Sequence, residues 1–450
     1  MARRNDSVEA VLAVLERRGW MRAAALCEAL GLSQPTLSRR LRRAGAAVLR
    51  SGAGPRTRYA ARRGYAGAGS AQPLYAVDEA GRVTHLATLH GVAPNGFYLE
   101  AGDQSAWLLG EDGRGAYDDL PYFLQDLRPQ GFLGREIGRW LADRFAWPGD
   151  PRQWDADTVA RFLLSYGDDV PGNLLLGDEA LARFERRRPS PVAARARDYP
   201  ALVERILGEG EPGSSAGGEQ PKFAAFVPDI GHVLVKFSPA GDSSEVRRWQ
   251  DLLVAEWHAL ECLRAHDLAA ATARLYDIDG RIYLEVERFD RVGSRGRRPN
   301  LSLEAVDAEF VGSRRSWTES AQQLHEAGWL DSDSLERIRW LDLFGAWIEN
   351  SDRHLGNLSL MPADDGFVLH PVYDMLPMAL APVRGEIREP AFRMPVASRL
   401  GDGMSLWQAT GKAAEAYWQA LADEPRLSES FRALAQDRAR QIHGLLQGNG

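Results

Sequence analysis

"WIENSDRHLGNLSL", residues 347–360, decides how the rest of this chain is read. An apolar run of the kind that fills a core ends in Asp352, Arg353, His354 and Asn357. Ionised side chains are almost never buried without a partner. That partner is either structural, a buried ion pair of Asp352 with Arg353, or chemical, a metal ion carrying phosphate. Asp352 and Asn357 fall in the pattern D-x-x-x-x-N, in which the aspartate accepts a hydroxyl proton and the asparagine oxygen meets a metal. Beyond Asn357 come "LSLM", a turn "PADDG", and "FVLHPVYD", a hairpin that ends on Asp374. Two oxygen ligands on adjacent loops suit Mg2+, which takes few protein ligands and draws the rest from phosphate and water.

Working upstream, the lysines stand out. The chain has only three, Lys222, Lys236 and Lys412, and uses arginine for nearly every other cation. A lysine kept in such a sequence marks a place where a compact ammonium is wanted and a planar fork does not fit. Lys236 lies inside "HVLVKFSP" (232–239), a β-branched strand. "WQDLLVAEWHALECLRAHDL" (249–268) follows as a long amphipathic helix carrying Glu256. A strand lysine followed by a helix glutamate is the pairing by which kinases hold nucleotide phosphates. "RIYLEVERFDR" (281–291) is then a buried strand that runs into Glu287, Arg288 and Phe289, which offers backbone groups beside an apolar ring for an adenine. Ahead of these strands, "SSAGGEQPK" (214–222) has glycines for close backbone approach and Lys222 for charge, although a plain flexible loop reads the same way. A formal G-x-G-x-x-G at 208–213 is set aside, because Glu209, Glu211 and Pro212 repel or obstruct a phosphate.

The head of the chain differs from its body. Residues 1–65 hold 14 arginines against four acids, a formal +10, whereas the whole chain of 450 residues carries −7. A basic head points to a polyanion. "VEAVLAVLERRGW", "MRAAALCEALG" and "LSQPTLSRRLRRAG" read as three helices, the last capped by Ser33 with Arg39, Arg40, Arg42 and Arg43 facing outward. "AAVLRSGAGPRTRYAARR" follows as strand, Gly-Pro turn and strand, so that residues 1–65 resemble a winged helix-turn-helix domain. In that reading Gln34, Thr36 and Arg39 meet base edges of double-stranded DNA, while Arg40, Arg43 and Arg58 hold phosphates. A helical protein-interaction module with a solvated arginine face is the alternative. "RRGYAGAGSAQP" (62–73) reads as a linker, residues 74–195 as a second domain with a helix near 131–145, and "RRRPSPVAARARDYP" (186–200) as the separator before a third, 200–450.

The two cysteines, Cys27 and Cys262, are too few for a disulfide framework or a zinc site and read as buried structural thiols. The sequence has no run of about 18 apolar residues and no apolar leader at its start, which points to a cytoplasmic protein with no membrane partner.

Taken in order, "DLPYFLQDLRPQG" (119–131), "SSAGGEQPK", "VLVKF", "VERFDR", "SDRHLGN" and Tyr373-Asp374 resemble the HipA family of serine/threonine kinases, toxins of bacterial toxin–antitoxin systems. The resemblance implies an α+β, bilobal, protein-kinase-like fold, with one lobe to about residue 300 and a mainly helical lobe after it. It implies Asp352 as catalytic base, Asn357 and Asp374 on Mg2+, and Lys236 on ATP phosphates. Glu287, Arg288 and Phe289 would meet the adenine, with His354 and Tyr373 also lining the nucleotide. Gly217, Gly218, Glu219, Gln220, Pro221 and Lys222 would form the phosphate loop, and Ser215, or Ser214 beside it, the autophosphorylated serine. Its partners would be a protein substrate of the aminoacyl-tRNA synthetase kind and DNA, bound through a head that other members leave to a separate antitoxin and that a homodimer would serve best. A lipid or small-molecule kinase shares D-R-H-x-x-N, and a transcription regulator with a nucleotide-sensing body is the rival outside the enzymes.

Overall fold

A computed structural model describes residues 8–101, 106–208, 220–364, 366–396 and 403–448, and divides the chain into two compact units. The first comprises residues 1–78, 82–128 and 150–187. It opens with α1 (Val8–Arg18), whose Val11, Val14 and Leu15 point into a core at helical spacing. A two-residue strand β1 (Met21–Arg22) leads to α2 (Ala23–Leu30), closed by Gly31 in the left-handed conformation at φ 63°. Helix α3 (Gln34–Ala44) follows Ser33, and Leu37 on its inner side packs with Leu15, Leu26 and Leu30. Strands β2 (Val48–Ser51) and β3 (Arg58–Ala61) complete a small antiparallel sheet in the order β1-β3-β2.

The same unit holds a five-stranded antiparallel sheet, ordered β7-β6-β5-β4-β8, from β4 (Ala71–Val77), β5 (Val83–Val92), β6 (Gly96–Ala101), β7 (Ala116–Tyr117) and β8 (Leu174–Leu176). Helices α4 (Tyr122–Gln125), α6 (Ala156–Tyr166) and α7 (Gly177–Arg186) accompany it. The stretch expected to be a linker is instead packed into this sheet. The Arg63 amide donates to the Gly91 carbonyl at 3.0 Å, the buried Tyr65 hydroxyl donates to Leu89 O at 3.0 Å, and β4 already begins at Ala71. Gly91 is required there, since a Cβ would stand 2.5 Å from Arg63 O. The small residue that admits the stretch is thus on β5, and the hydrogen bonds of Arg63 and Tyr65 fix it there.

The second unit comprises residues 79–81, 129–149 and 188–450. Helix α5 (Gly131–Phe145) lies where a helix was expected. The 186–200 segment is not all separator: α8 (Arg195–Gly208) starts inside it. This helix is held to β12 (Arg281–Glu287), where the wholly buried Glu285 receives Arg195 Nε at 2.6 Å and the Tyr199 hydroxyl. β12 is central in an antiparallel sheet ordered β11-β12-β10-β9, with β9 (Lys222–Val227), β10 (Gly231–Phe237) and β11 (Ala273–Ile278). Helix α9 (Ser244–Ala265) starts at Ser243, whose hydroxyl accepts from Val246 N at 3.2 Å. Its Leu252, Leu253, Leu260 and Leu263 are fully buried, each contributing about 1.5–3 kcal/mol.

After the short hairpin β13 (Arg291–Val292) and β14 (Gly296–Arg297) the unit becomes mainly helical. Strand β15 (Leu301–Ser302) leads into α10 (Leu303–Phe310), α11 (Trp317–Glu326) and α12 (Ser332–Trp347). A second hairpin, β16 (Ser359–Ala363) and β17 (Gly366–Leu369), pairs with β15, and α13 (Gly403–Asp423) and α14 (Glu429–Gly448) close the unit. Both cysteines are half-buried: Cys27 packs against the head's core, and Cys262 donates to Ala413 O.

Candidate functional site

Strand β10 brings Lys236 opposite Leu284 of β12 on one side and Lys222 of β9 on the other. Lys236 is 4 % exposed, so its ammonium cannot be a solvated surface charge. Its Nζ donates to both carboxylate oxygens of Glu256 on α9, at 2.6 and 2.7 Å, and to Asp374 Oδ1. Burial alone would lower the lysine's pKa, but the Asp374 and Glu256 carboxylates outweigh it and hold the ammonium well above its usual value. Burial would likewise raise Asp374, yet Lys236 and then Lys222 outweigh it and keep that carboxyl at about 2. For Glu256 burial dominates and its carboxyl is pushed up. Asp374 adopts φ 53°, a left-handed conformation that a non-glycine residue keeps only at a cost of about 1–2 kcal/mol. A backbone fixed this way directs the carboxylate back at β10.

In the loop after α12 Asp352 is not the buried group. Asp352 is exposed, and the buried polar group is Asn350, 1 % exposed. Asn350 Oδ1 accepts the Asp352 amide at 3.0 Å, while its Nδ2 faces Met375 Sδ at 3.6 Å, so one amide ties the Asp352 loop to the residue after Asp374. Arg353 turns back onto α12: its Nε donates to Asp342 Oδ1 at 3.1 Å and its Nη1 to the Asn350 carbonyl. Gly345 makes room for it, because a Cβ there would stand 2.5 Å from Arg353 Cδ. Arg353 therefore pairs with Asp342, and Asp352 is left facing solvent. Trp317 Nε1 donates to His354 O at 2.8 Å, and Asn357 Nδ2 donates to Asp352 O at 2.7 Å, which turns the Asn357 amide oxygen to the other side.

Tyr373 joins the two loops: its hydroxyl lies 3.0 Å from Ser359 Oγ and donates to Gly356 O at 3.4 Å. Its ring centre is 5.7 Å from that of Phe289, which also lies 4.8 Å from His370. Of the expected adenine-binding residues, Phe289 is thus beside the Asp374 loop. The amides of Glu287 and Arg288 are used within the chain, donating to Thr272 O and His232 O at 2.8 and 2.9 Å. Their side chains are held by Arg274 and Asp290. A cavity of about 220 Å³ borders all three residues together with His232, Thr272 and Pro371.

Of the expected phosphate loop, Gln220, Pro221 and Lys222 are described, and Gly217, Gly218, Glu219, Ser214 and Ser215 lie outside the described residues. Gln220 Nε2 is buried without a hydrogen-bond partner among the described residues, a donor in need of an acceptor. Among the described residues no group of three or more His, Cys, Asp or Glu is placed to hold a metal. Asp374 and the Asn357 amide oxygen could hold an ion of the Mg2+ type only with phosphate and water completing its shell. The donor set fits that use.

In the head, Gln34, Arg39 and Arg43 are exposed, and Thr36, half-buried, accepts from Arg39 Nη2 at 3.4 Å. Two expectations are corrected. Arg40 is only 6 % exposed, because one turn below it Leu37 faces the core and the helix buries both positions. Arg58 is half-buried, with Nη2 3.6 Å from Asp112 Oδ2, so it is less open to a phosphate than the sequence suggests. The sequence reading passed over Asn350 and Asp342, which have no motif to announce them.

A buried strand lysine gripped by a helix glutamate, ahead of a polar loop and an aspartate-bearing hairpin, defines a kinase-like body. Residues 214–444 match the HipA-like C-terminal domain, and residues 68–185 the middle domain of YjjJ-like toxins. The chain belongs to the HipA-like toxin family. It is 37 % identical over 429 residues to Toxin YjjJ of Escherichia coli strain K12, which spans 93 % of this chain and 94 % of that one. The fold is shared with HipA of the Shewanella oneidensis MR-1 toxin–antitoxin system, solved with HipB and its operator DNA. That likeness has a TM-score of 0.60 at 16 % identity over 84 % of this chain and 96 % of the other. Among the described residues no helix is long and apolar enough to cross a membrane.

Proposed function

We propose that the chain is an ATP- and Mg2+-dependent serine/threonine protein kinase that binds double-stranded DNA through residues 1–65, folded as a winged helix-turn-helix. One observation carries the kinase reading. Lys236 is buried between Glu256 and Asp374, a charge arrangement with no structural need that an apolar trio would not meet better. With nucleotide bound, Lys236 would turn from Asp374 to a phosphate while Glu256 keeps it oriented. Asp374 and Asn357 are then free to hold Mg2+, which supplies neutralisation of phosphate charge when bound. Asp352, exposed on a loop fixed by Arg353 and Asn357, accepts the proton of the incoming serine or threonine hydroxyl. In this reading the Phe289 and Tyr373 rings and His354 would meet the base, residues 217–222 would serve as the phosphate loop, and the unpartnered Gln220 amide would donate to a phosphate.

Phosphorylation at Ser215 or Ser214 would add about two negative charges beside that loop and lower nucleotide affinity, a self-inhibition. The resemblance to the HipA family implies a protein substrate of the aminoacyl-tRNA synthetase kind. The DNA reading rests on the formal +10 of residues 1–65 and the exposed Arg39, Arg42 and Arg43 on α3, and a homodimer would pair two such helices on adjacent half-sites.

Purified protein incubated with radiolabelled ATP and Mg2+, followed by mass spectrometry of the labelled peptides, tests the activity. Asp352→Ala should abolish transfer and leave ATP binding largely intact, since the base touches the acceptor and not the nucleotide. Undiminished autophosphorylation in that variant would remove Asp352 from its role. Label appearing on lipid and not on protein would favour the lipid-kinase reading.

A further inference from the structure

Helix α9 makes a second polar connection besides Glu256. Arg248, about two turns nearer its start, is 2 % exposed, and its guanidinium lies 5.3 Å over the Phe431 ring. Nη1 donates to Leu380 O at 3.2 Å and Nη2 to Glu389 Oε1 at 3.2 Å. Both acceptors belong to the chain that runs on from Asp374. The same chain is tied to the rest of the unit from other directions. The Ala379 amide donates to Glu349 O at 3.0 Å, Arg438 donates to Pro390 O and Glu349 Oε2 at 2.7 Å, and Trp407 Nε1 donates to Pro395 O at 2.8 Å. A buried guanidinium is stable only when its hydrogens are met, and a fork spanning a carbonyl and a carboxylate is a task lysine cannot copy.

We propose that Arg248 is a positioning residue: it locks α9 to the chain after Asp374, so that the Lys236–Glu256 pair and Asp374 are set as one body. The function it serves rests on the kinase reading above. One sequence fact sharpens it. Segments that follow a metal-binding aspartate are commonly ordered when a phosphorylated hydroxyl recruits an arginine. Residues 375–397 contain no Ser, Thr or Tyr, so no such hydroxyl exists in that stretch. Glu389 and the Leu380 carbonyl supply the acceptors permanently, and the connection is built into the sequence instead of being switched by modification there.

The test uses the full-length protein as wild type, Arg248→Lys and Glu389→Gln, with two readouts. Hydrogen exchange without nucleotide should accelerate in Arg248→Lys both over 376–392 and in the middle of α9, around 252–258. In phosphoryl transfer, kcat should fall about tenfold, the loss of one or two charge-assisted hydrogen bonds that set geometry. The Mg2+ concentration for half-saturation should rise, and the KM for ATP should move less. Glu389→Gln should shift each readout in the same direction by about threefold, because the Leu380 bond remains. If Arg248→Lys does not fold, Glu389→Gln decides alone. Faster exchange confined to 376–392, with α9, kcat and the Mg2+ requirement unchanged, overturns the coupling and leaves a simple latch. Absence of any transfer by wild type refutes the kinase reading, while the exchange comparison still decides whether Arg248 couples the two elements.

Discussion

Gly345→Ala offers a sharp test of how the Asp352 loop is held. Gly345 lies in the last turn of α12, and alanine is favoured over glycine in a helix by up to about 1 kcal/mol, so on α12 alone the change should stabilise. The new Cβ, however, would lie 2.5 Å from Arg353 Cδ and 3.4 Å from its Nε. The arginine cannot simply retreat, because Nε is held by Asp342 and Nη1 by the Asn350 carbonyl. Crowding of this kind costs about 1–3 kcal/mol. Surrendering a hydrogen bond of a charged group costs about 1.5–3 kcal/mol more. The balance is a net loss of about 1.5–5 kcal/mol, together with a slower reaction as Asp352 loses its support. In an Arg353→Ala background the obstruction is gone, and the same Gly345→Ala change should stabilise by up to about 1 kcal/mol. Calorimetric Tm values for the four proteins read this as a reversal of sign, with about 2–4 °C expected per kcal/mol in a unit of this size. A shift of the same sign in both backgrounds would refute the argument that Gly345 exists to admit Arg353.

Lys236→Arg keeps the charge but should reduce both Mg2+-ATP affinity and turnover, because a planar fork does not fit between Glu256 and Asp374; wild-type kinetics would show that any cation serves. Arg39→Ala should weaken binding of the full-length protein to duplex DNA and relax its sequence preference, whereas Arg40→Ala should chiefly lower Tm, since its side chain is buried. Mobility shifts at several salt concentrations check the first, and an affinity that ignores salt would count against DNA as the partner. Burial pushes the Cys262 thiol up to about 12, so the reactive thiolate is scarce at pH 8 and becomes abundant only as pH approaches that value. Iodoacetamide should therefore spare Cys262 in the native protein at pH 8 and label it in denaturant; rapid native labelling would contradict its burial.

The kinase-like body was legible because chemistry there fixes spacing. Asp352, Asn357 and Asp374 are tied to one another by a loop and a hairpin of short, set length, and Lys236 betrayed itself by being a lysine in an arginine-using chain. The strands and α9 followed from period alone. What could not be read were partners chosen by tertiary packing. Arg353 was weighed as the partner of Asp352, yet it reaches back to Asp342, because Gly345 opens a path that no pattern encodes. Asn350 looked like one more polar residue at a helix end, and its burial appears only once the loop closes over it. In α3 every arginine looks alike in sequence, so the fact that Arg40 turns inward while Arg39 and Arg43 stay out depends on where the helix meets its neighbours. Residues 62–73 read as a linker on composition, but Arg63 and Tyr65 pin the stretch to β5, where Gly91 leaves room for the Arg63 carbonyl.

Lys222 and Lys236, facing each other across β9 and β10, give the protein a built-in chemical reporter. Only Lys412, exposed on α13, shares their side-chain amine chemistry. An amine-directed acylating reagent thus meets three side chains in very different conditions: one open, one half-covered, and one shut between two carboxylates. The ratio of modification at Lys222 and Lys236 to that at Lys412 measures how far the strand pair has opened, with the exposed lysine as internal standard. Because arginine is silent to such reagents, the readout is nearly free of background, and occupancy of the site can be followed in the intact chain without engineered labels.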